Sequence, residues 1–444
     1  MNFEQILAKA KRECKHGDRK DVARPHHKIA LRNCGHIDAA SIYEYISHAQ
    51  GYRGLAEALN MSREDVIEEV SKAGLRGRGG GGYPAAEKWK TCLDTGENEK
   101  YVLCNAVDAD PKSHIARLLL EGDPHSVLEG MLIGAYAVGA RHGFLCVNDE
   151  YETTVSRLEE ALKQMQENSL LGENILDSDF SFDIEIKRVP ASLVSGEETA
   201  LIRLLEEMQA MPYRRTVYPA VEGLNKKPTL VNNAETLSHI SAIFQNDAAW
   251  YAGIGTEKSR GTKILTLTGD LVNNDTIEVP FGTTLRAAIK ESGNDINARD
   301  IKAIQFGGPT GTFLGPDSLD TPIAFETISE FGGIMGSGTI EVFDNNHCAV
   351  EMARNAIDYI ESQSCGKCTF CREGSLQMAD FLKDISENKG KPEELELLLE
   401  LGEAMATGSI CGLGKTAPNP VLSSIRLFHG DYDTHLNEKT CPKK

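Results

Sequence analysis

No apolar run in this chain approaches the roughly 20 residues needed to cross a bilayer, so no membrane span is expected. The opening stretch MNFEQILAKAKRECKHGDRK has no apolar core followed by a small-residue cleavage site, and does not read as a signal peptide. A basic excess is missing too. The 47 Lys and Arg are outnumbered by 66 Asp and Glu, and the formal charge of −19 excludes a non-specific nucleic-acid binder with its basic stripe. There is no internal repeat and no low-complexity tract. What remains, 444 residues that are 41% hydrophobic and 25% charged, suits a globular chain of about two to four domains. Without an export signal, the eleven cysteines read as reduced thiols or metal ligands, not as a disulfide framework. The expected location is the cytoplasm, or the cytosolic face of a larger assembly.

The cysteines carry the strongest chemical signal. Cys365, Cys368 and Cys371 stand at C-x2-C-x2-C spacing, and Cys411 follows at a distance. Three thiolates on one short loop wrap a corner of an inorganic cluster and a distant fourth closes it, which is how four-iron clusters are held. Zinc more often takes two separated C-x2-C pairs, and buried free thiols are the bland alternative.

Texture divides the chain into four stretches. Residues 1–65 read as an N-terminal arm and short helices, with Asp38 or Ser41 capping a helix that presents Ile42, Tyr45 and Ile46 on one face. A second helix starts near Ser62. Over 66–255, strand-like YVLCNA and GFLCVND alternate with helical SVLEGMLIGAYAVGA, which predicts a Rossmann-like α/β domain with buried parallel strands. Over 256–345, short β segments punctuated by glycine and one helix at TLRAAIKES suggest a small β-grasp module. Residues 346–444 are helical, with the cysteine loop after the first helix and Cys411 after the third.

Two further signals lie in the α/β stretch. In GLRGRGGGGYPAAEKWK, Gly77 and Gly79 to Gly82 leave backbone amides bare, able to close around a phosphate or lie under a flat ring, with Arg78 and Lys88 adding positive charge. Flexible turns have the same composition, and no strand leads directly into the loop, so it is not the G-x-G-x-x-G fingerprint. In SGEETALIRLLE and KPTLVNNAETL, polar stretches run into helical patterns, offering helix N-terminal amides to an anion. Plain capping by Glu197 and Glu198 is the competing reading.

The motifs GRGGGGYP, CNAVDADP, GDPHSVLEGM, SGEETALI, YPAVEGLNKKPTLVNNAETL, SCGKCTFCREG and ICGLGKTAPNPVL occur in the order of one family. Over roughly residues 30–440 the chain resembles the NADH-binding flavoprotein subunit of respiratory complex I and its relatives in soluble NAD-linked hydrogenases, formate dehydrogenases and transhydrogenases. ALRNCGHIDAASIYEYI and CGLGKTAPNPVL look more like the soluble, electron-bifurcating branch. The resemblance implies FMN held by Gly77, Arg78, Gly79, Gly80, Lys88, Asn105 and Asp108, joined by Gly196, Glu197, Glu198, Val231, Asn232, Asn233 and Thr236. Glu197 and Glu198 would position flavin and nicotinamide. Cys365, Cys368, Cys371 and Cys411 would hold one [4Fe-4S] cluster, and the β-grasp module would be a structural soluble-ligand-binding (SLBB) domain. Implied partners are a small [2Fe-2S] thioredoxin-like subunit and a further catalytic redox subunit of hydrogenase, formate dehydrogenase or transhydrogenase type. FMN in this setting takes a hydride and releases electrons singly, and no side-chain nucleophile is needed.

Departures from the family cluster where NAD(H) would sit. Where the family reads N-A-D-E-x-E-P-G-T, this chain has Val107 for a carboxylate, shorter Asp108 and Asp110, and Lys112 for glycine. The aromatic positions flanking adenine fall on Tyr83 and Tyr218, with Thr91 at a third. Arg214 and Arg215, with Lys112, offer a 2′-phosphate site that would favour NADP(H). A third possibility is a site that binds no dinucleotide, leaving a flavin and iron–sulfur relay. At the C-terminus, His435 and Cys441 with Cys348 or His347 make a candidate second metal site for zinc. Cys14, Cys34, Cys92, Cys104 and Cys146 lack ligand spacing and are expected to pack.

Overall fold

A computed structural model describes residues 1–14 and 28–443, so part of the N-terminal arm lies outside the described residues. Asn2 and Gln5 form a reciprocal capping box that starts α1 (Phe3–Glu13), whose Ile6 and Ala10 are fully buried. Ser41, not Asp38, caps α2 (Ile42–His48), and α3 (Arg53–Ala58) follows. Ser62 caps α4 (Arg63–Ala73), with Glu64 and Asp65 meeting the helix dipole in the first turn. These helices share one apolar core with the sheet that follows, reaching from Ile6 to Ile264.

The α/β stretch runs α5 (Ala85–Leu93), β1 (Tyr101–Ala106), α6 (Ile115–Gly122), α7 (Pro124–Val138), β2 (His142–Asn148) and α8 (Glu152–Glu167). It continues with β3 (Asp183–Val189), α9 (Glu198–Leu205), β4 (Thr229–Asn233), α10 (Ala234–Gln245) and α11 (Ala248–Ala252). The sheet order is β3-β2-β1-β4, parallel throughout. Helix α7 is apolar nearly all round and accordingly buried nearly all round, packed on α10. Because β2 and β3 lie on one side of β1 and β4 on the other, the strand order reverses at β1, and ligands in open parallel sheets bind at the carboxyl ends beside such a reversal.

The next module is a mixed sheet of β5 (Thr262–Gly269), β6 (Asp275–Pro280), β7 (Ile301–Phe306), β8 (Thr312–Leu314) and β9 (Thr339–Asp344), in the order β6-β5-β9-β7-β8. Only β5 and β9 pair in parallel. Helices α12 (Leu285–Glu291) and α13 (Phe325–Glu330) complete it, and its core runs separately from Leu265 to Val342. The remainder is helical: α14 (Ala349–Ser362), α15 (Thr369–Ser386), α16 (Glu393–Gly408), α17 (Gly412–Thr416), α18 (Asn419–Leu427), α19 (His429–Asp433) and a π turn at Thr434–Glu438. Its core spans Cys348 to Cys441. Among the described residues no helix is long and apolar enough to cross a membrane.

Candidate functional site

The carboxyl ends of β1 and β4 open into a cavity of about 500 Å³. The glycine loop forms one side. Gly77 N–H donates to Tyr83 O at 2.8 Å, closing the loop ahead of α5. Gly80 has φ +114°, and a Cβ there would stand 2.9 Å from Gly336 O, so glycine is what lets the loop lie against the mixed-sheet module.

Arg78 departs from expectation. Its guanidinium is buried behind the loop, donating to Thr262 O (2.9 Å), Arg76 O (2.5 Å), Tyr251 OH (2.8 Å) and Arg260 O (2.6 Å). Its backbone N–H donates to Thr236 Oγ1 at 2.9 Å. Arg78 anchors the loop to β5 and α10 instead of standing free in the cradle.

The floor is built from helix starts. Asn233 caps α10 by accepting the Glu235 N–H at 3.0 Å, and Glu197 caps α9 by accepting from Thr199 and Ala200 at 2.9 and 3.0 Å. Asn105 Nδ2 donates to Gly196 O at 2.9 Å, tying β1 to the α9 start. Lys88 Nζ donates to Glu198 Oε1 at 2.5 Å and Val231 O at 3.0 Å, while Arg215 pairs with Glu197 and lies 3.9 Å from Glu198. The alternating charges Lys88, Glu198, Arg215 and Glu197 join α5, α9 and the segment carrying Tyr218.

Every residue assigned to the flavin lines this one cavity: Gly77 to Gly80, Lys88, Asn105, Asp108, Gly196 to Glu198, Val231 to Asn233, and Thr236. Asn232 Nδ2 is buried in the wall without a hydrogen-bond acceptor among the described residues, a donor waiting for a ligand. That orphan donor, the bare glycine amides and a volume suited to a cofactor fit FMN.

The dinucleotide residues divide. Tyr83 and Asp110 line the cavity; Lys112, Arg215 and Tyr218 do not. Tyr83 and Tyr218 are 51% and 65% exposed, available for stacking. Asp110 accepts from Ser337 Oγ at 2.5 Å and Thr339 Oγ1 at 2.6 Å, and Lys112 Nζ pairs with Glu341 at 2.5 Å. Both therefore tie the loop after β1 to the mixed-sheet module, Lys112 through a partly exposed ion pair. Asp108 accepts the Ala116 and Arg117 N–H groups, both at 2.9 Å; burial pushes its carboxyl up to about 7 although these bonds pull it down. Val107 is buried in an apolar cluster with Cys146, Val189 and Leu201, outside the cavity wall. Thr91 is also outside the wall, its hydroxyl donating to Glu87 O at 2.8 Å.

Sequence reasoning missed two walls. The mixed-sheet module, expected to be structural, contributes Lys263, Gly307, Pro309, Thr310, Ile334, Gly336 and Ser337, and the helical region contributes Gly412, Leu413 and Thr416. The glycine clusters at 307–311 and 332–338 were the available signal.

Cys365, Cys368, Cys371 and Cys411 converge on a smaller cavity with Val194, Pro212 and Leu413. Cys368 and Cys411 precede α15 and α17, and Gly414 N–H donates to Cys411 Sγ at 3.5 Å. Burial raises the Cys371 thiol and pushes Cys411 up to about 11. Four soft sulfur donors, one of them holding a backbone N–H, fit an iron–sulfur cluster. Leu413 lines both cavities.

Cys348, His435 and Cys441 are buried with their ligand atoms within 4.8 Å of one another. Cys348 Sγ lies 3.2 Å from His435 Nε2, and His435 Nδ1 lies 2.8 Å from Asn388 Oδ1. His347 is turned elsewhere, 2.8 Å from Asp270. Of the remaining thiols, burial raises Cys104 and pushes Cys34, Cys92 and Cys146 up to about 12. Cys14 Sγ lies 3.1 Å from His48 Nε2.

A glycine cradle facing two helix starts, sharing a wall with a four-thiol pocket, defines a flavin and iron–sulfur electron-transfer protein. The chain belongs to the family of NADH-binding flavoprotein subunits of complex I and related hydrogenases: residues 70–242 match the Nuo51 FMN-binding domain, and 351–435 match the NADH-ubiquinone oxidoreductase-F iron-sulfur binding region. It is 44% identical to the HndC subunit of the NADP-reducing hydrogenase of Solidesulfovibrio fructosivorans, over 94% of this chain and 84% of that one. It is 33% identical to an NADH-quinone oxidoreductase subunit of Rhizobium meliloti (strain 1021), over 93% and 99%. Among solved structures, the NAD+-reducing [NiFe]-hydrogenase in its H2-reduced state aligns with a TM-score of 0.80 at 30% identity, covering 98% of this chain and 72% of that one. The chain thus carries an FMN-binding domain and a [4Fe-4S]-binding region.

Proposed function

We propose that this chain is the electron-input subunit of a multi-subunit oxidoreductase, exchanging a hydride between NAD(H) and FMN and passing electrons singly to its own [4Fe-4S] cluster and onward to partner subunits. The observation that carries this reading is Leu413, which lines both the flavin cavity and the cysteine pocket. FMN supplies the conversion from a hydride pair to single electrons. The chain's own residues orient and separate. The glycine amides, Asn232 and the α10 start would hold the phosphate and ring. Glu197 and Glu198, fixed by Arg215 and Lys88, would position the nicotinamide. Cys365, Cys368, Cys371 and Cys411 would ligate the cluster.

NAD(H) is favoured over NADP(H), because Lys112 and Arg215 already answer glutamates. Loss of dinucleotide binding is disfavoured by the position of Val107, outside the cavity. The greater identity to a hydrogenase subunit than to a quinone-linked one supports a soluble, hydrogenase-type complex working in the cytoplasm. Its partners would be a small [2Fe-2S] subunit and a catalytic redox subunit. Separate apolar cores support boundaries near 256 and 346, with 256–345 an SLBB-like module and 346–444 a helical domain, while the helices of 1–65 share the core of 66–255. Cys348, His435 and Cys441, with Asn388 orienting the imidazole, would bind zinc at the C-terminal end.

The test is an anaerobic titration of the FMN-loaded, cluster-intact protein with NADH and then NADPH, following flavin bleaching. Bleaching by NADH at lower concentration than by NADPH is the expected result. If neither nucleotide bleaches a flavin that dithionite readily reduces, the hydride-exchange reading fails and a relay remains.

A further inference from the structure

Lys263, the second residue of β5, is 1% exposed yet lines the flavin cavity. Its Nζ donates to Glu235 Oε2 at 2.5 Å and to Ile264 O at 2.8 Å, and the other oxygen of Glu235 accepts the Ile264 N–H at 2.8 Å. Glu235 stands in the first turn of α10. Its neighbours there are Asn233, which caps the helix through the Glu235 N–H, and Thr236, which holds the Arg78 N–H. The pair thus ties the turn facing the cavity to the mixed-sheet module.

A buried ion pair is a weak source of stability, since desolvation offsets the attraction, and β5 is already fixed by its ladders to β6 and β9. The charge arrangement points to a different use. Arg78, the second buried cation, has only carbonyl and hydroxyl oxygens as hydrogen-bond partners and is close enough to help lower the Lys263 pKa, behind burial and against the pull of Glu235. The nearby carboxylate of Glu278 is committed to the Ile29, Ala30 and Leu31 N–H groups and the Thr262 hydroxyl. Lys263 and Arg78 thus lie near the carboxylates of Glu235 and Glu278, and Lys263 and Glu235 both line the cavity, whose low-dielectric walls strengthen the field of the ammonium.

We propose that Lys263 is a positioning residue of the flavin site: with Glu235 it orients the α10 turn, and its ammonium makes the cavity hold reduced, anionic flavin more tightly than oxidised, neutral flavin. Reduction by two electrons and one proton leaves the ring with one more negative charge, which a nearby cation favours. The proposal rests on the FMN reading above.

The experiment measures dissociation constants for oxidised FMN and for dithionite-reduced FMN on the full chain with its cluster intact. The proteins are wild type, Lys263→Met, Glu235→Gln and the double variant. Each single variant is expected to bind oxidised FMN about tenfold or more weakly, as truncating a supporting group behind a ligand does, and the double no worse than the worse single. In Lys263→Met the ratio of reduced to oxidised dissociation constants should also rise about tenfold or more, each tenfold lowering the two-electron potential by about 30 mV. A loss of affinity equal for both redox forms would leave the lysine a purely structural residue and overturn the proposal. If Lys263→Met does not fold, Glu235→Gln decides: with both cations kept and the carboxylate neutralised, the ratio should fall, and an unchanged ratio overturns the proposal equally. Failure of the wild type to bind FMN would instead sink the functional reading.

Discussion

Replacing Arg78 by methionine isolates the interaction that joins the glycine loop to the mixed-sheet module. The guanidinium makes four side-chain hydrogen bonds, three of them to carbonyls of Arg76, Arg260 and Thr262. It also sits 4.9 Å from the centroid of the Phe281 ring. Bonds from a charged donor are each worth about 1.5–3 kcal/mol. Part of that sum returns because methionine needs no desolvation of a charge, and water reaches the freed carbonyls. The net loss should be about 3–5 kcal/mol, the usual cost of removing one member of a buried charged network. At about 2–4 °C per kcal/mol for a domain of this size, melting should fall by about 6–20 °C. Arg78→Lys keeps the charge but not the fork, and should fall between. The assay is thermal unfolding by circular dichroism, with FMN affinity measured in parallel. Melting within about 2 °C of wild type and unchanged FMN affinity would refute the anchoring role.

Three more outcomes follow from other residues. Burial alone holds the His125 imidazole down at about 3, so between that value and the ordinary 6.5 the unfolded chain takes up a proton that the folded chain refuses. Stability is therefore lost as pH falls, by about 2 kcal/mol from pH 7 to 5, and urea titrations of His125→Gln should show an acid-side slope shallower by that amount. Cys411→Ser should abolish the cluster's iron and visible absorption while leaving FMN binding within about threefold, since Cys411 lines only the thiol pocket; coupled loss of both cofactors would contradict the separateness of the two cavities. The Lys112–Glu341 pair is partly exposed, 46% and 19%. Lys112→Ala should cost no more than about 1 kcal/mol and leave the NADH to NADPH preference in flavin bleaching unchanged; a switch of preference would restore Lys112 to the dinucleotide site.

Much of this was legible along the chain because the relevant geometry is local. A C-x2-C-x2-C loop leading into α15 brings three thiols together wherever it folds, and Ser41, Ser62 and Asn233 announce helix starts by side chains that reach amides two or three residues on. The parallel strands β1 and β2 show as short apolar runs because both their faces are largely covered, whereas the edge strand β3, DIEIKRV, does not. Asp110, Lys112 and Val107 were not legible in the same way. A carboxylate and a cation beside a glycine loop look like ligand groups until Ser337, Thr339 and Glu341, more than 200 residues later, arrive to satisfy them.

The sequence by itself determined that this is a layered redox chain with a four-thiol loop, a glycine cradle and two helix starts, since each is fixed by spacing or composition within a few residues. Only the tertiary structure decided which way side chains turn and which walls meet. It buried the Arg78 guanidinium, withdrew Val107 into an apolar cluster, set Leu413 in the walls of both cavities and brought Lys263 of one module onto Glu235 of another. Those outcomes depend on desolvation and on partners distant in the chain, neither of which is written in local spacing.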